Sequence, residues 1–179
     1  MPITTNVLLG DTRSEQCSDG HPMGLAEASS FVATATGTVA SLSIDYAGGT
    51  SNQLILALYS DDSANLTPAQ LLATAMVTQS SNIGSGVYTA ATDTMPAVTA
   101  GSRYWISVFC VSGSSCSFRY TYTPGGSADT CGGGGSCVPA DSNCTMHSAS
   151  SSLGAPEITW SPGGDTYGLS VNSFWASGP

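Results

Sequence analysis

Lysine is missing from this 179-residue sequence, and Arg13, Arg103 and Arg119 are its only arginines. Asp, Glu, Lys and Arg together make up 8% of the chain, against about 25% in an ordinary soluble protein. With a formal net charge of −9, the chain repels phosphate backbones and anionic lipid surfaces, which argues against a nucleic-acid partner. No apolar run approaches the ~20 residues of a membrane-spanning helix, so no membrane insertion is expected. The first residues, MPITTNVLLGDTRSEQ, lack the basic start and long apolar centre of a signal peptide.

Signatures of catalysis are equally scarce. There is no Gly-x-Ser-x-Gly elbow, and neither His21 nor His147 has a neighbour in sequence that marks a triad. A glycosidase needs two positioned carboxylates. The acidic residues here, apart from Glu27 and Asp45, fall in evident loops without diagnostic spacing. The chain is therefore expected not to be an enzyme.

What is present is a body of apolar and small polar residues. The sequence is 41% hydrophobic, enough for a real core at this length, and Ser, Thr, Gly and Ala take the surface positions that charges usually hold. One domain over residues 1–179 is expected. Six cysteines stand at Cys17, Cys110, Cys116, Cys131, Cys137 and Cys144, with no Cys-x-x-Cys among them. An even count without tight pairs favours disulfides in an oxidising compartment over zinc, whose ligands usually come in closer pairs. Sequence proximity suggests Cys110–Cys116, Cys131–Cys137 and, by remainder, Cys17–Cys144. An extracellular location on a virion or cell surface is expected. It would be reached through a signal that has been removed or by another route out of the cell.

Hydrophobic periodicity points to strands. In residues 41–46, Leu42, Ile44 and Tyr46 alternate with Ser41, Ser43 and Asp45, the pattern of a strand with one buried face. Residues 47–53 form a turn cluster with Gly48-Gly49, and residues 54–59 (LILALY) are an unbroken apolar run of central-strand length. Together they read as a hairpin. Residues 71–78 and 87–94 read as further strands. Residues 103–111 (RYWISVFCV) form a second strong strand, with Tyr104, Ile106 and Val108 on one face and Trp105, Ser107 and Phe109 on the other. Residues 13–24 read as a polar loop, and LAEASS (25–30) as at most a helical turn. Residues 124–152 read as an irregular Cys/Gly/Ser-rich insertion, and 158–160, 167–171 and 174–175 as closing strands. Short strands between Gly/Ser/Asn turns, with no convincing helix, predict an all-β fold: a two-sheet antiparallel β-sandwich of jelly-roll type. Its shared core should hold Leu42, Ile44, Leu54, Leu56, Leu58, Ile106 and Val108.

The ordered series Leu9-Gly10, Gly24-x-Ala26-Glu27-Ala28, ATATGT (33–38), Leu42-Ser43-Ile44, Leu58-Tyr59-Ser60-Asp61, Leu71-Leu72 and VTAGxxYWI (98–106) resembles a family of β-sandwich domains. These occur in secreted bacterial surface proteins, often beside carbohydrate-active or adhesive modules. The resemblance covers residues 8–109, rests on structural rather than catalytic motifs, and implies a non-enzymatic accessory domain.

Three sets of residues are candidates for a site. Asp61, Ser63 and Asn65 offer oxygen atoms at alternating positions, as in part of a calcium loop, although Asp and Asn are also common turn residues. Glu27 is a further candidate ligand, or a cap for the turn at Ser29-Ser30. Exposed aromatics could stack on sugars or contact another subunit. The aromatics weighed for this are Trp105, Trp160, Trp175, Tyr88, Tyr120, Tyr122 and Tyr167, together with Phe174. Trp160, beside Ser161-Pro162-Gly163-Gly164, is expected at a loop edge, and the Phe118, Tyr120, Tyr122 row in the core or at a subunit contact. Two functions from different classes are consistent with the sequence. One is a structural protein displayed on a particle, such as a phage decoration subunit partnered by other subunits. The other is a carbohydrate-binding or adhesion module partnered by a glycan.

Overall fold

The computed structural model describes residues 6–15, 17–113, 115–122, 144–150, 152–168 and 170–179, with the side chains of 121–122, 164–168 and 170–171 outside that description. The described residues contain strands and turns and no helix. In chain order the strands are β1 (Asn6–Gly10), β2 (Cys17–Pro22), β3 (Glu27–Val32), β4 (Gly37–Thr38), β5 (Ser41–Gly49), β6 (Gln53–Asp62), β7 (Thr67–Thr78), β8 (Gly86–Ala91), β9 (Ala97–Val98), β10 (Arg103–Cys110), β11 (Ser115–Tyr122), β12 (Cys144–Ser148), β13 (Pro162–Gly168), β14 (Ser170–Asn172) and β15 (Phe174–Gly178).

They form two antiparallel sheets. The first runs β1-β15-β5-β11-β14, with β2 also paired to β11 and β8 to β5; the second runs β13-β12-β3-β10-β6-β7. β4 and β9 pair separately. The molecule is an all-β, two-sheet sandwich, as the periodicity predicts, and the chain changes sheet repeatedly, which is the wiring of a jelly roll. Between the sheets lie Leu42, Ile44 and Tyr46 of β5, Phe118 of β11 and Phe174 of β15. Facing them are Leu54, Leu56 and Leu58 of β6 and Ile106 and Val108 of β10. All seven residues expected in the shared core are in it.

The stretch read as a hairpin is not one. β5 belongs to the first sheet and β6 to the second, so residues 50–52 carry the chain across the sandwich. The Gly and Ser of that turn serve a crossing as readily as a hairpin, and alternation on one side of a turn says nothing about which sheet the next strand joins. β10 and β11 are split between the sheets in the same way. The two crossings pack against each other: Thr50 N donates to Ser115 O at 3.0 Å and Val111 N to Gln53 O at 3.2 Å. Gly113 sits at φ +86°, with the Thr50 carbonyl where a Cβ would stand, so this position accepts only glycine without rearrangement.

Cys110 and Cys116 flank the second crossing and form a disulfide with a Cα–Cα distance of 6.3 Å. The bridge expected from sequence is present, and it joins the two sheets. Cys17 is also disulfide-bonded, and Cys144 is buried. A Cys17–Cys144 bridge is not among the disulfides shown between described residues, and Cys131 and Cys137 lie outside them.

Three further segments differ from the sequence reading. Residues 17–22, expected in a loop, form β2 along β11. Residues 27–32, expected at most as a helical turn, form β3 between β10 and β12. Ala28, Ser29 and Ser30 are too small to show an apolar alternation, yet they are buried because partners cover both faces. The expected irregular insertion at 124–152 contains β12, which pairs with β3 and β13.

The second sheet is also buried on its outer face. Ile55, Ala57, Tyr59, Trp105, Phe109, Met146 and Trp160 make a separate apolar cluster there. Residues 153–160 cover it: Tyr59 Oη donates to Glu157 O at 2.9 Å, and Leu71 N and Trp160 N bond to Ile158 O and Ala69 O. Both faces of β10 are therefore core faces.

Candidate functional site

The aromatics weighed as a platform are mostly interior. Phe174, Phe118 and Trp105 are fully buried, and Trp160, expected at a loop edge, is 6% exposed. Its ring packs edge-on to Tyr59 at 5.4 Å; the apolar outer face of the second sheet captures it despite the Ser-Pro-Gly-Gly that follows. Tyr88, Trp175 and Tyr120 are half-buried, and the side chains of Tyr122 and Tyr167 lie outside the described set.

The Asp61–Asn65 stretch is a self-closed turn between β6 and β7. Asp62 accepts from Ala64 N at 3.0 Å and from Asn65 Nδ2 at 2.7 Å. Asp61 Oδ1 accepts from the Trp105 indole at 2.7 Å, and Leu66 closes the turn at φ +53°. Asp61 and Asn65 are thus engaged with protein partners, and the side-chain bonds of the turn account for its composition.

A different constellation forms inside the sandwich. β2 alternates, so Cys17, Asp19 and His21 share one face, and its pairing with β11 sets His21 beside Cys116 and Asp19 beside Phe118. The His21 ring stacks on Phe118 with centroids 5.5 Å apart. β3 turns Ala28 to the outer cluster and therefore sends Glu27 and Ser29 inward. β12 turns Met146 outward in the same way and places Thr145 and His147 inward, with His147 directly opposite Glu27 in the ladder. β14 brings Asn172 from the other sheet.

These side chains converge on the Glu27 carboxylate, which is buried. Its Oε2 is in contact with His21 Nε2 and lies 3.7 Å from His147 Nε2. Asp19 Oδ2 is 3.4 Å from His21 Nε2, while Asp19 Oδ1 accepts from Gly20 N at 2.8 Å. The two imidazoles meet edge to face at 4.7 Å. Asn172 Nδ2 donates to Glu27 Oε1 and, at 2.9 Å, to Ser29 Oγ, which in turn bonds Thr145 Oγ1 at 2.8 Å.

The electrostatics follow from this packing. Burial works against the charged forms of His21 and Glu27, but their mutual proximity overrides it. The Asp19 and Glu27 carboxylates push the His21 imidazole up to about 9, and His147, His21 and Asn172 push Glu27 down to about 2. Asp19 is lowered by His21. Burial, with Asp19 and Glu27 nearby, raises the Tyr120 phenol.

One ligand atom each from Asp19, His21, Glu27 and His147 falls within a sphere where all lie within 4.8 Å of one another. Two imidazole nitrogens and two carboxylate oxygens at that spacing can hold a proton between them or a divalent cation. The sequence offers Glu27 as a candidate ligand but gives no local sign that His21 and His147 join it, since the three come from strands far apart in the chain. The local signal was the Asp19-x-His21 alternation, legible only if residues 17–22 are taken as a strand.

Compared with known proteins, the chain matches no protein-family model and no curated protein.

Proposed function

We propose that the chain is a non-enzymatic structural module displayed on the outside of a particle or cell, such as a virion decoration subunit. The observation that carries this reading is the Cys110–Cys116 bridge between the two sheets. A disulfide that staples the layers of a sandwich suits a protein that works in an oxidising exterior and must keep its shape there. The sparse charge of the chain, 8%, fits a body that meets solvent through Ser, Thr and Gly. A subunit contact would draw on exposed aliphatic residues such as Met76, Val87 and Ile158 rather than on Phe118 or Phe174, which belong to the core.

The alternative, a carbohydrate-binding or adhesion module, is favoured by the resemblance to accessory domains of secreted bacterial proteins. Against it, among the described side chains every Phe, Tyr and Trp is buried or half-buried, whereas stacking on a sugar needs an open ring face. A glycan array probed with the oxidised protein, together with sedimentation of particles from the culture that produces it, separates the two. We expect no retained glycan and recovery of the protein in the particle fraction. Retention on a polysaccharide by a protein found only in the soluble fraction overturns the display reading.

A further inference from the structure

From the convergence of His21 Nε2, His147 Nε2, Glu27 Oε2 and Asp19 Oδ2 we infer a structural binding site for one divalent transition-metal ion of the zinc class, set between the two sheets. The inference is independent of which surface the module stands on.

The ligand types select the ion. Two imidazole nitrogens disfavour calcium and magnesium, which take all-oxygen shells, and suit zinc and its first-row neighbours. In a tetrahedral zinc site with bonds near 2.0–2.2 Å, neighbouring ligand atoms stand about 3.3 Å apart. The separations of 3.4 Å between Asp19 and His21 and 3.7 Å between His147 and Glu27 are close to that edge length, while His21 Nε2 and Glu27 Oε2 stand nearer to each other than that and would part to admit the ion.

The surroundings are built for a ligand set. His21 and Glu27 are 4% and 3% exposed, and their Nε2 and Oε2 atoms face each other in direct contact, so two groups able to ligate a metal are held together inside the sandwich. Asn172 occupies Glu27 Oε1 and leaves Oε2 turned to the imidazoles, which is how an outer residue orients a ligating carboxylate. The Asp19 side chain is 53% exposed and that of His147 14%, so the cluster opens to solvent on the Asp19 side and an ion has a way in. With Asp19 closing the fourth position the site is complete in protein ligands, the arrangement of a structural rather than a catalytic metal. The ion would tie β2 of one sheet to β3 and β12 of the other, one residue pair away from the disulfide, since His21 is paired with Cys116.

The test is a titration of chelator-treated, oxidised protein with Co²⁺, read by visible absorption, followed by competition with Zn²⁺ and Ca²⁺. We expect one Co²⁺ per chain with the intense absorption of a four-coordinate site, displaced by Zn²⁺ and not by Ca²⁺, and a higher melting temperature in the loaded protein. His147→Gln should abolish the signal, and Asp19→Asn, at an exposed position that leaves the core intact, should weaken binding at least tenfold. Absence of Co²⁺ binding to the wild-type chain overturns the inference and leaves a His21–Glu27 ion pair. Unchanged affinity in Asp19→Asn, displacement by Ca²⁺, or a full signal in folded His147→Gln overturns it as well.

Discussion

Cys110 and Cys116 are bonded to each other from opposite sheets, Cys110 at the end of β10 and Cys116 near the start of β11. The bridge closes a short loop, for which chain entropy gives a stabilisation of about 2–3 kcal/mol. The double variant Cys110→Ser/Cys116→Ser should lose stability of that order, read as a lower melting temperature in calorimetry. An unchanged melting temperature would mean that the packed crossings hold the sheets together without it.

The crossing itself should be intolerant of side chains. Gly113→Ala places a Cβ against the Thr50 backbone at a positive φ, and a cost of about 1–3 kcal/mol is expected from that conformation. Gly84→Ala, where a Cβ meets nothing within 4 Å, is the control and should change little. Denaturant midpoints of the two variants decide it.

The two apolar clusters should respond separately. Leu56 is fully buried between the sheets and Trp160 lies in the outer cluster. Leu56→Ala should cost about 2–5 kcal/mol and Trp160→Ala about 3–5 kcal/mol, with the double variant close to the sum because the sites share no cluster. Equilibrium unfolding measures all three, and a Trp160→Ala variant as stable as wild type would show that the outer cover adds nothing.

How far the sequence carries depends on what kind of residue does the work. Leu54 to Tyr59 and the strand from Arg103 announce themselves because large apolar side chains at strand spacing have few other uses. β3 and the crossing at residues 50–52 do not. Ala28, Ser29 and Ser30 hold the middle of a sheet through the backbone ladder and small size, which leave no hydrophobic pattern, and Gly48-Gly49 looks the same before a hairpin as before a change of sheet. Trp105, weighed as an exposed aromatic, and Phe109 are buried on the face opposite Ile106 and Val108, because the chain that covers that face comes some 50 residues later and shows no strong apolar pattern. The cluster at Glu27 was legible only in parts, since its members are brought together by the pairing of β2 with β11 and of β12 with β3 and by no local spacing.

Asp93 provides a pH test away from the cluster. Its carboxylate accepts from Thr74 N at 2.7 Å and from Thr74 Oγ1 at 2.8 Å. Slight burial opposes ionisation, yet these bonds hold the group below its ordinary 3.8. A carboxyl lowered in the folded state stabilises above the unfolded value and loses that contribution as pH falls through the folded one. Wild type should therefore be more stable than Asp93→Ala at neutral pH, with the difference narrowing once pH drops below 3.8. A difference that stays constant across that range, followed by thermal unfolding, would mean that the carboxylate charge is irrelevant to the contact.

Removal of metal should be felt as a loss of stability. A ligand that binds only the folded state raises stability in proportion to the logarithm of its saturation, so a chelator should lower the melting temperature and Zn²⁺ should restore it. Asn172→Ala, which frees Glu27 Oε1 from its partner, should weaken that restoration by about 10–100-fold in affinity. Identical melting curves with and without chelator would contradict the expectation.

The most direct measurement is elemental analysis of the oxidised protein, isolated without chelators or affinity metals and counted against chain concentration. If His21, Glu27, His147 and Asp19 form a metal centre between the sheets, one zinc-class ion should be found per chain, and His147→Gln purified alongside should carry none. A metal-free wild-type chain, or the same metal content in both proteins, would contradict it.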